Sequence, residues 1–328
     1  MGLELENSKV LVLGNEVAPI ESTTMPVHTR PFDYIAAATS DNTRQAYQSD
    51  VRHFMQSGAA LPASVDNILH YLQHYAATLN PRTLERRLTA IRNWHLYQGF
   101  ADPTAHAFIR KTLSGIKNIH GKPKDKAPPI TLETLSCMVN YLKTSSRLIA
   151  CRNAALLQIG FFGAFRRSEL VSLRWEDIHF VPEGVEILIV RSKTDQNGEG
   201  QICAIPYGNS DLCPTTALLS WRDRAQKNTG YIFCGVNNNT ISATAITARQ
   251  VNLTIKSIAT ACHLPDADTY SSHSLRRGFA TEASRKGAPF GTIKRQGRWR
   301  HEGTVLGYID EGKRFDQNAA GIILSNNE

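Results

Sequence analysis

The sequence predicts a mainly α protein with a small antiparallel β-sheet, divided into a helical N-terminal domain and a larger α+β C-terminal domain. Three observations carry this expectation. Apolar residues recur at helical spacing through most of the chain, one stretch switches to β-branched runs parted by turn residues, and a joint rich in proline and lysine separates two helical patterns. At 328 residues with 41% apolar content, the chain is long enough for two cores.

Residues 1–33 mix polar residues with Pro19, Pro26 and Pro31 without a period and read as a tail. A domain over 34–119 follows. Capping residues in TSDN precede Tyr47, Val51 and Phe54 at helical spacing, and Gly58 ends that helix. A second helix follows Pro62, with Ile68, Leu69, Leu72 and Tyr75 inward. A third places Leu84, Leu88 and Ile91 on one stripe and leaves Arg82, Arg86 and Arg92 outside. A fourth starts with Asp102 as N-cap and Pro103 in the first turn. The linker, 120–130, carries Lys122, Lys124 and Lys126 among prolines. Helices are expected again near 131–143 and 146–163, then a sheet in DIHFVPEGVEILIVRSKTDQNGEGQICAIP, where EG and DQNGEG supply turns. Helices resume at PTTALLSWRDRAQ, over 242–262 from SATAIT onward, and at HSLRRGFATEASRKG, residues 273–287.

Lys plus Arg exceed Asp plus Glu by 37 to 29, a net charge of +8 and a pI near 9.2, which favours an anionic partner. The six cysteines are scattered, with no CxxC or Cys/His ligand pattern, and read as reduced thiols of a cytoplasmic protein. The N-terminus lacks the basic start and apolar core of a signal peptide, Glu6 breaks the myristoylation pattern, and no apolar run is long enough for a bilayer.

Four places in the second domain hold polar groups with a common purpose: Arg166 in GAFRRSEL, Lys193 in RSKTDQNGEGQ, His273 with Arg276 in HSLRRG, and Trp299 with Tyr308 in GRWRHEGTVLGY. Taken singly, each has a plain structural reading. Arg166 would be a surface helix arginine, Lys193 a solvated turn lysine, His273 a cap, Trp299 core packing, and Tyr308 a core aromatic beside Val305 and Ile309. Together, in this order and spacing, they resemble the active-site boxes of the tyrosine recombinases, the phage integrase family. The resemblance runs over about residues 36–315. It implies a SAM-like core-binding bundle, a catalytic domain over 131–315, and a tail or assembly helix over 316–328; the apolar Ala319, Ile322, Ile323 and Leu324 of that tail are expected to dock on a neighbouring protomer, the alternative being a tail folded back in cis. Trp299 lies nine residues before Tyr308, as the family pattern asks; His301 misses that spacing by two.

The chemistry gives these residue types a reason. A phosphodiester under attack gathers charge on its non-bridging oxygens, and planar, permanently charged guanidiniums stabilise it, a role for Arg166 and Arg276. The resemblance implies Tyr308 as nucleophile, Lys193 as proton donor to the leaving 5′-oxygen, and Trp299 on the phosphate, with His273 either bonding the phosphate or sharing proton transfer. Glu169 would orient Arg166 or His273. It implies no metal and no cofactor. The partner would be double-stranded DNA with inverted half-sites, recombined through a 3′-phosphotyrosyl intermediate and a Holliday junction, by two protomers on a site and four at synapsis, with accessory proteins as optional partners and no membrane. Arg44, Arg82, Arg86, Arg87, Arg92, Lys122, Lys124, Lys126, Arg167 and Arg277 are the expected DNA contacts. The rival readings are a non-catalytic DNA-binding protein of the same fold and a type IB topoisomerase-like enzyme.

Overall fold

The computed structural model describes residues 38–123, 126–190, 200–209, 211–312 and 319–325, and the chain divides into two compact units between 124 and 125. In the first unit, helices α1 (Asp41–Gln56), α2 (Val65–Tyr75), α3 (Pro81–Tyr97) and α4 (Ala107–His120) surround one core. The local sequence starts each of them. Ser40 accepts the Thr43 N–H, Ser64 and Asn67 cap each other's backbone, and Asn80 accepts from Arg82 with Pro81 in the first turn. Phe54, Ile68, Leu72, Leu84, Ile91 and Ile109 are buried together, each worth about 1.5–3 kcal/mol of transfer energy. The fourth helix does not run from residue 102 as the sequence predicts. Asp102 takes both the N–H and the hydroxyl of Thr104 and closes a single 3-10 turn, Pro103–Ala105. His106 is extended, and its ring starts the helix afresh by accepting the Phe108 N–H.

The second unit opens with α5 (Leu132–Lys143) and α6 (Leu148–Phe162), the latter buried on nearly every side, and a short α7 (Arg167–Ser172). An antiparallel sheet β1 (Ile178–Val181), β2 (Gly184–Ile189) and β3 (Gln201–Pro206) follows, in the order β1-β2-β3 with Ile189 opposite Gln201. Helix α8 (Pro214–Ala225) leads to a hairpin of β4 (Cys234–Asn237) and β5 (Thr240–Ala245), then to α9 (Ala248–Ala261), α10 (Ser272–Arg285), α11 (Phe290–Gly297) and α12 (Glu302–Gly312). A short α13 (Ala319–Ser325) comes last. The mainly helical class with small antiparallel sheets is as expected, with a second correction, in this unit. Residues 242–245 form a strand, not the start of a helix, because Asn238 and Asn239 adopt positive φ (45° and 62°) and make a two-residue turn that folds TISATA back on β4. Helix α9 begins only after Thr247, whose hydroxyl and backbone are capped reciprocally with Gln250.

Helix α10 is fixed at several points. Ser272 N–H donates to Asn252, Ile130 N–H donates to the Ser274 carbonyl, and Arg277 Nη1 donates to the Ala127 carbonyl at 2.6 Å. Gly278 allows this approach, since a Cβ there would lie 1.9 Å from the Ile130 oxygen. The other face of α10 joins α11, α12 and the turn after α6 in a small buried cluster of Ala164, Ala280, Ile293, Trp299 and Val305, with Tyr308 packed against it.

Candidate active site

The site forms around this cluster. Helix α6 ends in a tight turn in which Gly163 leaves no room for a side chain and Ala164 takes φ 45°. That turn aims the Gly163 and Ala164 carbonyls inward and sets Arg166 as the residue capping α7. Glu169, three residues on and 2% exposed, accepts the Arg166 N–H at 2.9 Å and its Nη1 at 2.5 Å. Burial would push the Glu169 carboxyl up, but the charge of Arg298 and the bonds from Arg166 outweigh it and hold the group below the usual carboxylate range.

Arg276 reaches the same place from α10. Its Nη1 donates to the Ala164 carbonyl, its Cζ stands 4.1 Å from the centre of the Trp299 ring, and its Nη2 has no hydrogen-bond partner among the described residues. Burial, and after it the charge of Arg166, pushes this guanidinium down to about 9, while Glu169 and Tyr308 pull the other way; it stays charged at neutral pH. A third guanidinium, Arg298, joins them. Its Nη2 donates to the Gly163 carbonyl at 2.9 Å and meets Glu169 Oε2 at 3.3 Å, and its own carbonyl accepts Arg166 Nη2 at 3.2 Å. Two arginines thus hold one carboxylate, and Arg276 feels its charge.

Trp299 is 7% exposed and meets Tyr308 edge to face, ring centres 6.2 Å apart. Gly297 makes the space for the indole, because a Cβ there would fall 1.7 Å from it. Tyr308, on α12, is half-buried; its carbonyl accepts from the Thr281 hydroxyl and the Arg277 guanidinium lies 5.9 Å from its ring. His273 is exposed in the first turn of α10, one turn before Arg276. Lys193 lies outside the described residues, in the connection between β2 and β3. That hairpin is tied to the site by Gln296, whose amide donates to the Phe162 and Ala204 carbonyls at 3.2 and 3.0 Å. Among the described residues no group of His, Cys, Asp and Glu is arranged to hold a metal.

The expected DNA contacts separate. Arg82, Arg92, Arg167, Lys122 and Lys126 are exposed, and Lys124 lies outside the described residues. Arg44 pairs with Asp41, Arg86 with Asp50 at 2.8 Å, and Arg92 with Asp102. Arg87 is drawn into the bundle instead, 11% exposed, donating to His53 and to the Tyr71 hydroxyl beside Asp50. Arg277 is engaged with Ala127 and Tyr308. Arg298 is the site residue that sequence reasoning missed: it stands between Arg295 and Arg300, both exposed, and nothing in the spacing marks it out.

The model of the phage integrase family matches residues 130–314, more than half of the chain, and this chain belongs to that family. It is a tyrosine-type site-specific recombinase. It is similar to the integrase/recombinase xerD homolog of Selenomonas ruminantium, with 36% identity over 290 residues that cover 85% of this chain and 84% of the relative. It is also similar to the recombinase cre of Escherichia phage P1, at 25% over 264 residues and 76% of each. Among solved structures, the XerH site-specific recombinase bound to palindromic difH substrate in a post-cleavage complex shares the fold, with a TM-score of 0.64 over 90% of this chain and 82% of that one at 18% identity.

Proposed function

We propose that this protein cleaves and rejoins duplex DNA at inverted half-sites through a 3′-phosphotyrosyl intermediate, passing through a Holliday junction. The observation that carries the reading is the convergence of Arg166, at the N-cap of α7, and Arg276, from α10, close enough for their charges to oppose, with Arg276 on the Trp299 ring and Trp299 against the one tyrosine that lies at the family's spacing. The Tyr308 hydroxyl gives its proton to His273 as its oxygen attacks the scissile phosphorus, the two guanidiniums hold the non-bridging oxygens as charge develops, and the bond to the 5′-oxygen breaks. Lys193 gives that oxygen its proton. The tyrosyl ester keeps the energy of the broken bond, so a 5′-hydroxyl from another strand closes it with Tyr308 leaving. His273 and Trp299 complete the phosphate contacts, Glu169 orients Arg166, and exposed Arg82, Arg167, Lys122 and Lys126 neutralise backbone phosphates. Arg44, Arg86 and Arg92, each already holding a carboxylate, are the secondary contacts.

Two protomers would occupy a site and four a synapse. Ile323 and Leu324 on α13, 69% and 74% exposed, support docking of that segment on a neighbour. The test uses a nicked duplex recovered from a random library by binding to the wild-type protein. Wild type is expected to trap a covalent adduct that Tyr308→Phe cannot form, and strand-exchanged products follow on paired sites. Equal adducts from both proteins remove Tyr308 from its role, and relaxation of supercoils without exchange points to the topoisomerase reading.

A further inference from the structure

Arg298 is an expensive residue for the fold to keep. Its backbone, just after the last residue of α11, sits at φ 55°, ψ 43°, a region that glycine enters freely and that residues with a Cβ avoid. Its side chain is 4% exposed, so the charge has left water. The guanidinium donates to the Gln296, Gly163 and Ala164 carbonyls at 2.7, 2.9 and 3.5 Å and lies over the Phe165 ring at 4.8 Å, while its Nε has no hydrogen-bond partner among the described residues. It also stands close enough to Arg276 for the two charges to oppose each other. An apolar side chain would fill the space without that repulsion, so packing alone does not account for an arginine.

The contacts show what it joins. Glu169, which Arg298 meets at 3.3 Å, holds Arg166 by two bonds, and the Arg298 carbonyl holds Arg166 by a third. The Ala164 carbonyl that Arg298 reaches is also the acceptor of Arg276. Arg298 thus touches the supports of both arginines. We propose that Arg298 is a positioning residue for strand cleavage, a buried guanidinium that locks the 163–165 turn and Glu169 so that Arg166 and Arg276 present their forks to one phosphate. This rests on the cleavage reading above.

The experiment compares Arg298→Gly, which suits the backbone but removes the guanidinium, with Arg298→Lys, which keeps a charge for Glu169 but has no fork for two carbonyls. The probe is the selected nicked duplex, and binding and single-turnover adduct formation are measured separately. The expected result is affinity within threefold of wild type for both, an adduct rate at least thirtyfold lower for the glycine variant, and an intermediate rate, at least fivefold lower, for lysine. The acid limb of the rate should also move to higher pH in Arg298→Gly, because Glu169 loses the charge that keeps it ionised, and should stay in place in Arg298→Lys; a role in packing alone would leave the limb where it is. Adduct rates within threefold of wild type for the glycine variant, with an unmoved acid limb, overturn the proposal. Should the glycine variant not fold, the lysine variant decides: a fivefold or larger loss at unchanged affinity supports the role, and a smaller loss overturns it. A wild-type protein that forms no adduct would instead mark failure of the cleavage reading.

Discussion

Glu169 shows how much of the site depends on one buried charge. With Arg166 and Arg298 bound to it, replacing it by glutamine leaves two guanidiniums without a counter-charge, and breaking such a pair costs on the order of 3 kcal/mol. We expect Glu169→Gln to lower unfolding free energy by about that amount and adduct formation by at least tenfold, read by urea titration and single-turnover cleavage. The pH dependence has a definite sign. Because the folded carboxyl sits below its ordinary value of about 4.3, its contribution is complete above that pH and is lost as pH falls through the lower folded value. The gap in stability between wild type and the glutamine variant should therefore shrink in acid and not in base. Residues that work at short range were legible in the sequence: Arg166 with Glu169, His273 with Arg276, and Trp299 with Tyr308 each lie within one helix or one short motif. Arg298 was not legible, since its importance comes from a positive φ and from burial among groups more than 130 residues away, which no local pattern encodes.

At the scale of elements, two glycines set how closely backbone and rings approach. Gly278→Ala would drive its methyl into the Ile130 carbonyl, and Gly297→Ala into the Trp299 ring. Each is expected to cost about 1–3 kcal/mol through forced repacking, roughly 2–4 °C of melting temperature per kcal/mol in a unit of this size. Their consequences differ. Gly278→Ala should loosen the segment before α5, seen as faster amide exchange at Ile130, whereas Gly297→Ala should displace the indole and slow cleavage beyond what its stability loss explains. Helices with strong caps were easy to place from the sequence. The β4–β5 hairpin was not, because Ala243 and Ala245 run on into the helical pattern of α9, and the deciding event is the pair of asparagines at positive φ. The break at His106 was hidden for a related reason: Asp102 and Pro103 announce a helix start, but the aspartate is spent on a single turn.

For the whole molecule, the division between 124 and 125 falls inside the lysine- and proline-rich joint, and each unit has its own buried apolar core. Calorimetry of the intact chain should resolve two transitions, and separate fragments 38–124 and 125–328 should each melt near the corresponding one. A single transition lost in both fragments would show that neither core suffices alone. The lysines of the joint and the basic total were visible from composition, but the way the chain enters the second unit was not. It arrives already fastened: Ala127 is held by Arg277 and Ile130 by Ser274, both on the helix that carries His273 and Arg276. Any pull on the chain ahead of Ala127 thus reaches that helix first, through the Arg277 bond, and the connector is cleated to the element that bears two of the candidate site residues.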